Sequence, residues 1–291
     1  MVKAIDIHVH IPVPDSMQHP KELERRAAMA RYFGARAAEQ TPMGVDQLAD
    51  HYRALDMIAV LLTVDAETAT GIPPVAMSFI ADSVKKHPDA FIGFGAVDPN
   101  KGRAAVEQLT EIAGLGLKGL KFHAGSQVFA ANDRRFYPLW ERAQELGLIC
   151  LFHSGTTGAG AGQPGGGGIK LEYMRPIPYV DDIAADFPDL KIILAHPSFP
   201  WDKDGLAVIR HKPNVYMDLS GWSPAYFDPL VVQYARTIAQ DKILFGSDWP
   251  VVTPDRWMRD FAAYEFDPAV QRKIFIENSA KLLGRQDLLT K

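Results

Sequence analysis

The chain has 291 residues, 47% of them hydrophobic, a formal net charge of −4 and one cysteine. That length suits one large α/β barrel or two ordinary domains, the mixed charge makes no electrostatic case for nucleic acid or an anionic membrane, and no apolar run is long enough to span a bilayer. The lone Cys150 excludes an internal disulfide framework and points to a reducing compartment, and Met1-Val2-Lys3 leads straight into a strand pattern without a secretory signal, so a cytoplasmic protein is expected.

Eight short apolar runs, rich in β-branched and aromatic residues and broken by Gly, Pro or Ser, read as buried parallel strands. In chain order they cover 4–10, 57–65, 90–98, 116–123, 148–153, 191–196, 215–218 and 242–248. Helical spacing is read over 20–39, 73–87, 103–115, 137–146 and 179–187. Gly-Leu at 147–148 and Pro-Asp-Leu at 188–190 stop two of these helices just before the next strand. Strand–helix alternation of this length predicts a (β/α)8 TIM barrel of the α/β class. No linker-like stretch divides the chain, so one domain over 1–291 is expected.

Two connections are long. Residues 12–56 form an insertion after the first strand and contain the charged helical stretch Pro20 to Glu39, which predicts a cover over the barrel mouth. Residues 155–175 follow the fifth strand and carry eight glycines. They read equally as a mobile surface loop or as backbone that closes on substrate. No Gly-Lys-Ser or Gly-Lys-Thr follows, which argues against a phosphate loop.

Five of the runs deliver a metal-binding side chain at or near their C-terminal ends, where a parallel sheet aligns them on one face. Ala4-Ile5-Asp6-Ile7-His8-Val9-His10 carries two imidazoles one residue apart, about 6 to 7 Å between Cα atoms, able to grip one small cation. Two core histidines are the bland alternative, but burying two unpartnered imidazoles is costly. His153, His196 and Asp218 end three further runs, and Asp248 closes Phe245-Gly246-Ser247-Asp248-Trp249-Pro250. Asp248 as a helix cap is the weaker account, because Thr253-Pro254-Asp255 places the next helix start later.

These residues in this order resemble the amidohydrolase superfamily, in its branch related to aminocarboxymuconate-semialdehyde decarboxylase. The resemblance runs from Ile5 to Leu283 and rests on the two segments just quoted together with Gly119-Leu120-Lys121-Phe122-His123, Leu151-Phe152-His153-Ser154-Gly155 and Leu194-Ala195-His196-Pro197. It implies one divalent metal, usually zinc, held by His8, His10, His153 and Asp248, with His196 as the catalytic histidine beside it. Asp248 is then both ligand and proton relay. On zinc, the pKa of a bound water falls to about 7. Some superfamily members carry a carboxylated lysine bridging two metals, but this branch does not. Lys121 and His123 are accordingly read as groups that bind a substrate carboxylate or enolate oxygen, and Lys118, of opposite strand parity, as a solvated charge. Of the aromatics expected near the mouth (Phe152, Phe199, Trp201, Trp222 and Trp249), Trp222 and Trp249 are expected to line the pocket and favour a planar substrate.

The resemblance implies a metal-dependent hydrolase of a carbonyl compound from aromatic catabolism, in particular one cleaving a carbon–carbon bond of an aromatic β-keto acyl thioester. Its alternatives are a non-oxidative decarboxylase of an aromatic or unsaturated acid and a metal-independent lactonase. Benzoate-type decarboxylases of the branch often begin Glu-x-His, whereas this chain has His8-x-His10. A small-molecule substrate is expected and a homodimer is left open.

Overall fold

The computed structural model describes residues 2–33 and 43–289. Eight parallel strands pair in strict chain order: β1 (Ala4–His10), β2 (Met57–Leu62), β3 (Phe91–Gly95), β4 (Gly119–Phe122), β5 (Ile149–His153), β6 (Ile192–Ala195), β7 (Val215–Asp218) and β8 (Ile243–Leu244). The barrel closes where Ile7 N donates to Phe245 O (3.0 Å), Asp248 N to His8 O (2.9 Å) and His10 N to Trp249 O (2.9 Å). This is the (β/α)8 TIM barrel read from the strand–helix alternation.

Several strands stop short of their expected ends. The pairing of β2, β3 and β8 finishes at Leu62, Gly95 and Leu244, and the residues beyond belong to the site loops. Helices form at Met77–Lys86, Arg103–Gly114 and Tyr137–Glu145, close to expectation. The one read over 179–187 is regular only over Asp181–Asp186. The helix after β1 covers Pro20–Phe33, and the rest of the expected stretch, 34–39, lies outside the described residues.

Two apolar layers follow from side-chain alternation. Ile5, Ile7, Val60, Phe94, Leu151 and Ile193 fill the barrel, whereas Val9, Leu61, Phe122, Phe152 and Met217 pack outward against the helices. Phe152 is therefore no mouth residue: its ring lies 5.1 Å from Phe122 and 5.4 Å from Trp140 on the helix side. Cys150 shares that outward layer and is fully buried, and burial pushes its thiol well above the usual range. A thiol-specific reagent is accordingly expected to label Cys150 only in denaturant; stoichiometric labelling of the native protein would contradict this packing.

Strand β1 breaks the alternation. Its register against β2 shifts between Asp6 and Val9, three residues opposing two. The bulge turns Asp6 outward, where Tyr52 Oη, from the helix Val45–Ala54, donates to Oδ2 at 2.7 Å. Beyond it, His8 and His10 both reach the interior of the mouth.

Candidate active site

The ends of β1, β4, β5, β6 and β7 and the loop after β8 bring His8, His10, Lys121, His123, His153, His196, Asp218 and Asp248 into one cluster. His8 Nε2 lies 3.2 Å from Asp248 Oδ1, His10 Nε2 3.0 Å from the same oxygen, and Lys121 Nζ 3.0 Å from His8 Nε2. His196 Nε2 lies 3.1 Å from His153 Nδ1, and the His123 and His153 rings stack at 4.1 Å. Lys118 is exposed and Lys121 is 1% exposed, as their parity requires. Trp222 is half-buried with its ring edge-on to Phe199 at 5.6 Å. Trp249 is 7% exposed and sits in the outward apolar layer. Asp248 does not cap the following helix, which starts at Pro254 after Thr253.

Hydrogen-bond accounting assigns the ring protons. Asp218 Oδ2 faces His8 Nδ1 at 3.1 Å, while Oδ1 accepts the amides of His196 (3.1 Å) and Ser220 (2.9 Å). Burial alone would raise the Asp218 carboxyl, but the contacts with His8, His196 and Ser220 outweigh it and hold it ionised. An ionised Asp218 fixes the proton of His8 on Nδ1 and leaves a lone pair on Nε2. Burial first, then the Lys121 charge, lowers His8 to about 4, so its ring is neutral. His153 Nε2 donates to Thr156 O at 3.0 Å, which leaves the lone pair on its Nδ1. His196 Nδ1 donates to the Ser220 carbonyl oxygen at 3.0 Å, with the Ser220 hydroxyl 2.9 Å away, which leaves the lone pair of its Nε2 3.1 Å from His153 Nδ1. His123 Nδ1 accepts the Ser126 amide at 3.1 Å, so its Nε2–H is the donor, here to Thr157 Oγ1 at 3.1 Å.

The donor set fits one small divalent cation. Ligands about 2.1 Å from a tetrahedral zinc lie about 3.4 Å apart, close to the His8–Asp248 and His10–Asp248 separations above. The lone pair of His8 faces an Asp248 carboxylate that His8, His10 and His196 hold ionised against burial, an arrangement that calls for a cation between the two. The Lys121 ammonium is one such charge, lowered to about 8 by burial. By distance alone, His8, His196 and Asp248 form a donor group, with one ligand atom from each within 4.8 Å of the others. The proton assignment leaves lone pairs on both His196 Nε2 and His153 Nδ1, 3.1 Å apart, so His153 joins the donors that face the site.

Two functional residues lack a role in the sequence reading. Asp218 was visible as a strand-end carboxylate, but its task of orienting His8 depends on a contact with a strand distant in sequence. Ser220 bridges His8 Nδ1 and His196 Nδ1 at 2.9 Å each, and a serine two residues past a strand carries no signal of that. The backbone is left-handed at His196 (φ 70°), Ser198 (φ 69°) and Asp248 (φ 67°), a conformation non-glycine residues hold where the surroundings impose it.

The structure resembles solved structures over nearly its whole length. An uncharacterised TIM-barrel protein from Bordetella bronchiseptica shares 21% identity at a TM-score of 0.77, with 98% of this chain and 99% of that one covered. A dihydroxybenzoic acid decarboxylase from a Polaromonas species, with bound manganese and the inhibitor 2-nitroresorcinol, shares 20% at 0.63 over 98% and 97%. A probable 2-pyrone-4,6-dicarboxylic acid hydrolase from Acinetobacter baumannii, with citric acid bound, shares 16% at 0.64 over 97% and 99%. No curated protein matches the sequence at a significant level. The family profile described as Amidohydrolase matches residues 5–285, and the chain belongs to that family of enzymes.

Proposed function

We propose that the protein is a metal-dependent, non-oxidative decarboxylase of a planar aromatic or unsaturated carboxylic acid. The observation that carries this reading is the buried Lys121 ammonium set beside the His8–Asp248 donors, with His196 Nε2 in the same cluster: a cation for a carboxylate and a base that can carry a proton to the carbon it leaves. Likeness to a dihydroxybenzoic acid decarboxylase supports it.

His8, His10, His153 and Asp248 would hold the ion. When bound, it supplies a Lewis acid that polarises a substrate oxygen. Lys121 and the His123 N–H bind the carboxylate or enolate oxygens, and Trp222 offers an aromatic wall at the mouth. Burial of Lys121, His123 and His196 strips water from the carboxylate, which favours loss of carbon dioxide. The carbon–carbon bond breaks with its electron pair left on the ring or chain carbon, and His196 Nε2, having taken up a proton from solvent, delivers it there. The nitrogen-rich ligand set suits zinc. Manganese, the ion in the decarboxylase neighbour, is the competing choice.

Hydrolytic carbon–carbon cleavage is the second reading. It is favoured by an ionised Asp248 able to accept a proton from water and by the pyrone hydrolase likeness. Turnover of candidate aromatic acids and β-keto thioesters in heavy-oxygen water separates the two. Decarboxylation is expected to give carbon dioxide and an organic product without solvent oxygen. Label in a product acid, with no carbon dioxide released, would replace the first reading by the second.

A further inference from the structure

Asp6 is a buried carboxylate that neither the ligand set nor the chemistry uses. It is fully buried, and two amides and two hydroxyls converge on it. Oδ1 accepts His8 N at 3.2 Å and Ser247 N at 2.9 Å, while Oδ2 accepts Tyr52 Oη at 2.7 Å and Ser247 Oγ at 2.6 Å. Each oxygen of a carboxylate has two lone pairs, so all are taken. Burial raises the carboxyl to about 7 in spite of these bonds. The group therefore stands there at a cost that an apolar side chain in the same outward layer would avoid.

Most of its donors belong to a ligand residue or to the neighbour of one. His8 gives its own amide, and Ser247, next to Asp248, gives both amide and hydroxyl. Ser247 Oγ also accepts Trp249 N at 3.1 Å, so the bonds grip the chain on either side of Asp248. Two further observations point the same way. Asp248 is held left-handed at φ 67°, with Oδ1 3.2 Å from His8 Nε2. Gly246 brings the loop after β8 close against β1, since a Cβ placed there would stand 3.2 Å from His8 Cβ.

We propose that Asp6 and Ser247 are positioning residues: their clasp between β1 and the loop after β8 sets the separation of His8 and Asp248, and with it the geometry of the ion site. The proposal rests on the reading of those two side chains as ligands. It accounts for a carboxylate in an apolar layer, and it separates Ser247 from Tyr52. Tyr52 donates to the same Oδ2, but from the helix Val45–Ala54, which holds none of the four ligands.

Ser247→Ala and Tyr52→Phe form a matched pair, because each removes one hydroxyl donor from Asp6 Oδ2 and keeps both amides on Oδ1. The full chain, freed of metal, is titrated with cobalt(II) at about pH 8, where the Asp6 carboxylate is ionised. Affinity is read by competition with a chelator, and geometry from the visible absorption of the bound cobalt in separate samples. Melting temperatures recorded before cobalt is added show that each variant is folded. Ser247→Ala is expected to weaken cobalt binding by about tenfold or more, the scale of losing support behind a ligand, and to alter the absorption bands. Tyr52→Phe is expected to lower the melting temperature while keeping the native affinity and bands. An equal loss of affinity in the two variants overturns the clasp, because the network then acts on the site only through overall stability. Native affinity and bands in Ser247→Ala overturn it as well. A native chain that takes up no cobalt overturns the clasp together with the ligand reading.

Discussion

His196→Asn is expected to lower turnover by about 10²–10⁴-fold while the ion stays bound, the range typical of losing a positioned proton donor. Asparagine suits the position because His196 sits at φ 70°, a left-handed conformation that asparagine adopts more readily than most residues. The backbone, with its amide on Asp218 Oδ1, is thus expected to persist. The measurement pairs the decarboxylation rate with metal content by elemental analysis. Loss of the ion along with the ring would make His196 a ligand, in line with its distance grouping with His8 and Asp248. An unaltered rate would remove it from the mechanism.

Asp218→Asn is expected to weaken metal binding by about 10–100-fold, the usual cost of removing a carboxylate that orients a ligating histidine. The replacement keeps Oδ1 for the amides of His196 and Ser220 and sets an NH2 group against His8 Nδ1. Two donors then face each other, and the His8 proton must move to Nε2, where it covers the lone pair. Competition with a chromophoric chelator reads the affinity directly. Equal affinity in the variant and the native protein would mean that Asp218 does not set the His8 tautomer.

Much of the site was legible because parallel strands align their ends. His8, His10, His153, His196 and Asp248 were each found as the polar residue closing an apolar run, and the barrel collects such residues at one mouth whatever their separation in the chain. What stayed hidden depends on contacts between strands. Strict alternation would turn Asp6 the same way as the two histidines, and only the bulge in β1 sends it out to Tyr52. Phe152 looked like a mouth aromatic because it precedes His153, yet neighbouring strand residues face opposite ways and it packs on Trp140. Ser220 and Asp218 acquire their roles from the rings they touch, which no local pattern encodes. Gly162 could be read as loop glycine but not as the seat of Tyr32, since that pairing joins two segments about 130 residues apart in the chain.

The seam that closes the barrel has a consequence for biosynthesis. Its hydrogen bonds run through the site itself, Asp248 N to His8 O and His10 N to Trp249 O, and the side chains of His10 and Asp248 meet across 238 positions of sequence. Contacts of such separation carry the largest loop-closure cost and form late. A nascent chain that has emerged only as far as β7 holds most of the barrel's core but no complete ligand set. On the proposed ligand set, the last strand to arrive therefore completes the site.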